Sequence, residues 1–170
     1  KINMNDLSQF ESLTTVSQRD YFVGDLDLVI EHLYSTNEED TFERLVNKYI
    51  GENRAEELIA YMDENKAVSQ NPKEVEKKLM SLISILKKLE VLELRSMVDL
   101  KELEIRDLVK KIYTIANKRV LINPIIDRSV IGGAVLGYRG KRKDFSLAAK
   151  IEEIFNKKGE ATGTKTYGRI

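Results

Sequence analysis

The sequence has no cysteine, a single histidine and no net charge. Each of these features excludes or disfavours particular classes of function. Without cysteine the chain has no disulfide, thiolate zinc site or cysteine nucleophile, so packing must stabilise it, and a reducing compartment fits. Its 28 basic and 28 acidic residues cancel, so bulk charge does not draw the chain to nucleic acid or anionic lipid. Any such binding would have to be local.

Long apolar runs are also missing. No stretch approaches the roughly 20 apolar residues that cross a bilayer, and the start, Lys1 to Asp6, lacks the apolar core of a signal peptide. We therefore expect neither membrane insertion nor export. No serine, second histidine or carboxylate cluster is placed to work with His32. The pattern favours a packed or helix-face histidine and indicates no catalytic residues.

Apolar residues recur every three or four positions through the first half, and this spacing predicts helices packed as a bundle. We predict a short first helix carrying Leu7, Phe10 and Leu13, and a second helix over about 19–34. Further helices follow between turn residues. The clearest apolar stripe comes after Pro72, which suits a first helical turn.

The periodicity changes near Val91, where near-alternation predicts a strand and the start of a second domain. We predict that Asp99 caps the next helix, that Val130–Leu136 forms a strand with a glycine pair inside it, and that a last helix covers about 147–156. Pro124 favours an edge or a bulge.

The predicted fold class is therefore α+β. An all-α bundle occupies 1–90, a small mixed α/β domain occupies 91–157, and 158–170 is a flexible or partner-ordered tail, because it has little apolar periodicity.

Two motifs invite a functional interpretation but fit a structural one better. Gly132 and Gly133 lack the Lys-Ser/Thr of a phosphate loop and the spacing of a dinucleotide fingerprint, so we predict no cofactor and expect a bulge or a close backbone approach. The basic run 139–143 is expected at a hairpin tip. Solvent exposure is favoured there, and an acidic protein partner ranks above nucleic acid. Adjacent carboxylates sit on charged helix faces, so no metal site is predicted.

From residue 91 to 154, the chain resembles the C-terminal domain of the delta (oligomycin-sensitivity-conferring, OSCP) subunit of F-type rotary ATP synthases. Two linked motifs carry the resemblance. One is similar to the family's Asp-x-Ser-x-Ile/Leu-Gly-Gly. The other lies before the last helix, and its distance along the chain from the glycines is the distance that the family uses. The residues are Asp127, Ser129, Ile131, Gly132 and Gly133 in the first motif, and Asp144 and Ser146 in the second.

The sequence also departs from the family pattern. Gly137 stands where arginine is common, and Arg142-Lys143 replace an apolar pair, so the returning strand is expected to be short or exposed. The first half matches by periodicity only and is short by about one helix.

The resemblance implies a non-catalytic stator adaptor that ties the catalytic head to the peripheral stalk and resists torque. Its partners would be the N-terminal helices of the alpha subunits and the b-type stalk subunit, without nucleic acid or membrane insertion. It would lie peripherally on the cytoplasmic face of a membrane, in a bacterial cell rather than an organelle.

Candidate partner-binding side chains in the bundle are apolar, and core packing is the alternative for each of them. They are Phe10, Leu13, Phe22, Leu26, Leu45 and Tyr49. Two alternative functions stay open: an E-type stalk subunit of a vacuolar or archaeal ATPase, and a small regulatory or RNA-associated module that uses the basic tip.

Overall fold

The computed structural model describes residues 9–34, 41–64 and 71–153. Contacts divide the chain into two compact units. Unit 1 comprises Lys1–Val91 and Lys101–Asn123, and unit 2 comprises Leu92–Leu100 and Pro124–Ile170. The segment 101–123 thus groups with unit 1. Because grouping by contacts is not a test of independent folding, the domain limits at 90 and 157 stay a prediction, and the tail 158–170 lies outside the described residues.

Unit 1 is helical for most of its described length. Its helices are α1 (Val16–His32), α2 (Phe42–Tyr49), α3 (Glu52–Glu64), α4 (Pro72–Lys87) and α5 (Glu102–Ala116). Helix α1 begins with a capping box, in which the Thr15 hydroxyl accepts from the Gln18 amide and the Gln18 side chain accepts from the Thr15 amide. Asn71 caps α4 and Pro72 occupies its first turn, as predicted.

The residues before α1 correct the first predicted helix. Phe10 and Leu13 are buried, but 9–15 is not helical, and Leu7 lies outside the described residues. The Leu13 amide donates to the Phe10 carbonyl at 3.1 Å in a turn, and tertiary hydrogen bonds hold the segment in place. The Ile122 amide donates to the Thr14 carbonyl at 2.9 Å, and the Arg119 guanidinium donates to the Phe10 carbonyl. These partners are distant in sequence, so local periodicity cannot reveal them.

The core of unit 1 is one cluster of side chains that gathers the apolar faces of α1 to α4. Its largest fully buried members are Phe10, Leu13, Phe22, Leu26, Leu45, Leu58, Met62, Leu79, Leu82, Leu86 and Leu121. The apolar stripes at helical spacing therefore meet as a bundle, as the sequence predicts.

Within the described residues, four strands form a mixed sheet in the order β2-β1-β3-β4. They are β1 (Glu90–Ser96), β2 (Val120–Ile126), β3 (Ala134–Tyr138) and β4 (Lys141–Asp144). β3 pairs antiparallel with both β1 and β4. The Asp127 amide donates to the Ser96 carbonyl at 2.8 Å, which brings the C-terminal ends of β1 and β2 side by side as in a parallel pair. The α+β class is confirmed, and Pro124 lies in an edge strand as expected.

Two predicted element boundaries were wrong. β3 starts at Ala134, because Gly132 and Gly133 have φ of +62° and +101°, which no strand accommodates. Helix α5 starts at Glu102 rather than after Asp99, with the Lys101 amide donating to Glu104 Oε2 at 2.8 Å. A final helix, α6, is seen over residues 147–153, so its predicted start is confirmed.

Candidate partner-binding surfaces

The first family-like motif in unit 2 forms a hydrogen-bonded turn directly after β2. Asp127 Oδ1 accepts from the Ser129 amide at 3.0 Å and from the Ser129 hydroxyl at 2.6 Å. These bonds favour the ionised carboxylate, so the hydroxyl and amide of Ser129 hold the pKa of Asp127 below its ordinary value of 3.8. The Asp127 amide also donates to the Ser96 carbonyl of β1, so this hydrogen bond joins the turn to the sheet.

The second motif repeats the same construction after β4. Asp144 Oδ1 accepts from the Ser146 amide at 2.8 Å, and Ser146 lowers the pKa of Asp144 from 3.8. The buried Ser146 hydroxyl in turn accepts from the Ala149 amide at 3.2 Å. Ser146 is therefore the N-cap of α6, and Asp144 orients the cap.

The glycine pair joins the two motifs. A Cβ at Gly133 would lie against the carbonyl oxygen of Phe145 and 3.1 Å from its carbonyl carbon, so only glycine allows this approach. The Leu147 amide donates to the Ile131 carbonyl at 3.0 Å and to the Gly132 carbonyl at 2.6 Å. The glycines therefore have the architectural role that the sequence analysis favoured, as a site of close backbone approach rather than a bulge.

Charged side chains line one face of the sheet in unit 2. Arg95 contacts Glu93 at 3.4 Å and Asp127 at 3.9 Å. Arg142 lies close enough to lower the pKa of both Asp127 and Asp144, behind the Ser129 and Ser146 hydrogen bonds. Opposite charges alternate across this face, so it does not attract ligands of one sign.

An apolar patch lies beside the two motifs. Ile131, Leu147 and Ile151 are 61%, 51% and 44% exposed. Ile131 and Leu147 are joined by a backbone hydrogen bond, and Leu147 and Ile151 are one turn apart on α6. We call these three residues the α6 patch. Clustered exposed apolar side chains typically mark protein contacts rather than catalysis.

The comparison with known families agrees with this geometry. The sequence model of the family described as "ATP synthase delta (OSCP) subunit" matches residues 26–157, which is most of the chain. This chain belongs to the ATP synthase delta (OSCP) subunit family. The resemblance stated from the two motifs is therefore confirmed, and the match extends beyond them into the helical half. A search of curated proteins found no significant match.

Family membership implies a peripheral-stalk subunit of an F-type ATP synthase, peripheral to the membrane. The family consists of structural stator subunits, which agrees with a non-catalytic chain. Among the described helices, none is both long enough and apolar enough to span a bilayer. The described residues contain no group of three or more histidines and carboxylates that could hold a metal. His32 lies in α1, where its Nδ1 is 2.8 Å from the Leu28 carbonyl oxygen and its ring packs 4.7 Å from that of Tyr49.

The structure places the predicted partner-binding residues of the bundle mostly in the core. Phe10, Leu13, Phe22, Leu26 and Leu45 are at most 2% exposed, and the half-buried Tyr49 packs against the core cluster. Their binding role stays a prediction. Since their surface is already covered, direct contact with a partner would require rearrangement of unit 1.

Side chains that the sequence analysis did not select are exposed on α1. Tyr21 and Leu28 are 74% and 41% exposed, and nothing lies within 4 Å of a Cβ built at Gly24 between them. Asp20, Asp27 and Glu31 are exposed on the same helix. Sequence spacing could have identified this surface. Positions 21, 24 and 28 share one face of a helix, and that face is not the one that carries the buried Phe22, Leu26 and Val29.

Proposed function

We propose that the chain is a non-catalytic stator adaptor, which links the catalytic head of an F-type ATP synthase to its peripheral stalk and resists rotational torque. The α6 patch is the observation that carries this proposal. It exposes three large aliphatic side chains on a surface that two hydrogen-bonded turns and the glycine pair hold in shape. A rigid apolar surface suits a load-bearing contact because little conformational entropy is lost on binding.

We assign the α6 patch to the b-type stalk subunit. An amphipathic helix of that subunit can place its apolar stripe over Ile131, Leu147 and Ile151, and burial of apolar area supplies about 25 cal/mol per Å².

We assign the exposed face of α1 to the N-terminal helices of the alpha subunits. Tyr21 and Leu28 stand on either side of the open position at Gly24, which leaves room for a side chain of a docked helix. The exposed carboxylates Asp20, Asp27 and Glu31 favour basic residues on that helix. Such a contact keeps the buried core of unit 1 intact, unlike one through Phe22 or Leu26.

The test is affinity purification of the chain at its native level from gently solubilised cells. Recovery of alpha, beta and b-type subunits in near-fixed ratio supports the stator function. Recovery of vacuolar or archaeal ATPase subunits would instead support the E-type alternative, which the family match does not favour. RNA or unrelated proteins in place of ATPase subunits would contradict the proposal.

One single and one double variant separate the two contacts. Leu147→Asp should remove the b-type subunit from the purified set while the alpha subunits remain, and Tyr21→Ala with Leu28→Ala should do the reverse. Ile115→Asp is the matched control, because Ile115 is the most exposed large apolar side chain described, at 87%, and lies on α5 rather than on either surface. Loss of all partners in the control would mean that the losses report folding or solubility.

A further inference from the structure

We propose that the open edge of β4 binds an acidic, extended peptide segment of a partner protein, which adds to the sheet as a further strand. This contact is separate from the α6 patch and from α1, and it does not rest on the stator function. β4 ends the strand order, and all four of its residues are exposed.

The register identifies the backbone groups that are available. Tyr138 faces Lys141 across a two-residue turn at Arg139 and Gly140, both with positive φ, as in a type I′ hairpin. The two residues that flank such a turn form backbone hydrogen bonds with each other. Along each strand, the backbone groups of successive residues then point alternately toward the partner strand and away from it. Lys141 and Lys143 therefore direct their backbone groups toward β3.

The remaining residues of β4, Arg142 and Asp144, direct their N–H and C=O groups to the other side. The Phe145 amide bonds the Ala134 carbonyl at 2.9 Å, which continues the alternation. In the part of the chain that the structure describes, no strand lies on that side of β4.

The charge on this edge selects the partner. Arg139, Lys141 and Lys143 place three cations within five residues, whereas the charge of Arg142 is offset by nearby Asp127 and Asp144. Side chains alternate between faces along a strand, so Lys141 and Lys143 share one face. Acidic residues at every second position of an added strand would lie beside them as cross-strand pairs. The same charges repel the β4 edge of another copy, which disfavours self-association.

A peptide fits this edge better than a nucleic acid does. Nucleic-acid surfaces on strands use open aromatic faces for stacking, but here the Arg139 guanidinium lies 5.4 Å from the Tyr138 ring centre and Lys143 Nζ lies 5.1 Å from that of Phe145. The alternating backbone donors and acceptors of Arg142 and Asp144 match another peptide backbone, whereas the oxygens of a phosphate chain could accept from the N–H groups but offer no donor to the C=O groups.

The experiment measures fluorescence anisotropy of a labelled ten-residue peptide of alternating Glu and Thr against the full chain at low salt. A second peptide has the same charge, but every backbone nitrogen is methylated, which removes the N–H donors along both of its edges. We expect the first peptide to bind and the methylated one to bind at least about tenfold more weakly, since several backbone bonds are lost.

Two variants with the same change in charge complete the test. Lys141→Glu with Lys143→Glu should weaken binding by about tenfold or more, because attraction becomes repulsion. Lys77→Glu with Lys78→Glu, on the exposed face of α4, should leave binding unchanged. Lys141→Gln with Lys143→Gln provides a milder variant, with an intermediate loss expected, should the double glutamate variant fail to fold.

Three results would overturn the proposal: no binding of the unmethylated peptide, equal binding of the methylated peptide, or unchanged binding by the folded edge variants. Tighter binding of a ten-nucleotide single-stranded RNA than of the peptide, lost in the same variants, would also overturn it and assign the edge to nucleic acid.

Discussion

The two units are stabilised in different ways. Unit 1 buries a continuous cluster of aliphatic and aromatic side chains between helices, whereas the buried apolar side chains among the described residues of unit 2 are Leu94, Val130 and Val135. Unit 2 relies more on capped turns and close backbone approach, and it leaves the α6 patch exposed. A small sheet with few buried side chains can thus keep a defined surface when its turns are specified by hydrogen bonds.

The largest expected effect breaks the core of unit 1. Leu82→Ala should lower the free energy of unfolding by about 2–5 kcal/mol, because Leu82 is fully buried and its removal leaves a cavity. Met80→Ala, on the same helix but 51% exposed, should stay within about 0.5 kcal/mol. Urea unfolding followed by circular dichroism measures both. Equal effects of the two changes would contradict the assignment of Leu82 to the core-facing side of α4 and of Met80 to its solvent-facing side.

The corresponding change in unit 2 acts through the backbone. Gly133→Ala should destabilise unit 2 by about 1–3 kcal/mol, because it combines a positive φ with a clash against the Phe145 backbone. Hydrogen exchange of peptides covering β3 and β4 should accelerate, while peptides from α1 to α4 stay protected.

The control for Gly133→Ala is a glycine substitution that should increase stability instead of lowering it. Gly24→Ala sits in a helix with open space around it, so it should stabilise α1 by about 0.5–1 kcal/mol. If Gly133→Ala left exchange in β3 and β4 unaltered, the close approach to Phe145 would not be a determinant of unit 2.

Removing one helix cap from each unit sharpens the comparison. Thr15→Ala and Ser146→Ala should each cost about 1 kcal/mol, since each loses a side-chain acceptor for a first-turn amide. We expect the same loss to have the greater local consequence in unit 2, where fewer apolar contacts compensate. Hydrogen exchange at the start of α1 and of α6 measures it, and greater opening at α1 would reverse the comparison.

The smallest expected effect is the pH response of the paired turns. The pKa of Asp127 and of Asp144 is lowered in the folded chain, chiefly by hydrogen bonds from Ser129 and Ser146. Their contribution to stability is therefore fully present above the unfolded value of about 3.8 and is lost as pH falls through the lower folded values. Carboxyl carbon NMR titration measures the shifts directly.

Asp127→Asn with Asp144→Asn keeps an acceptor oxygen in each turn but removes the titration. The acid loss of unit 2 below about pH 4 should then flatten. An unchanged acid profile would mean that other carboxylates govern it.

Several features follow from local sequence alone. Helical spacing located α1 to α4, near-alternation located β1, and the run of residues after Asp144 located the start of α6. The two motifs alone predict the family. These features depend on periodicity, caps and turn residues, which act over a few positions along the chain.

The partner-binding residues of the bundle show where such reasoning stops. Phe22 and Tyr21 are adjacent and both aromatic, yet one is fully buried and the other is 74% exposed. Which of them faces the core depends on how α1 meets the other helices, and composition does not record that. The partly buried, non-helical path of residues 10–14 likewise depends on hydrogen bonds from Arg119 and Ile122, more than 100 residues away.

The sequence by itself determined most of the elements from α1 onward, the turns built by Asp-x-Ser and the family, because each depends on neighbouring residues. Only the tertiary structure decided which apolar side chains remain for partners, that the glycine pair meets Phe145 rather than lying inside a strand, and that β4 is an edge of the sheet formed by the described residues. Those features arise from contacts between segments far apart in sequence. Burial and strand order are therefore properties of the assembled chain and not of any stretch within it.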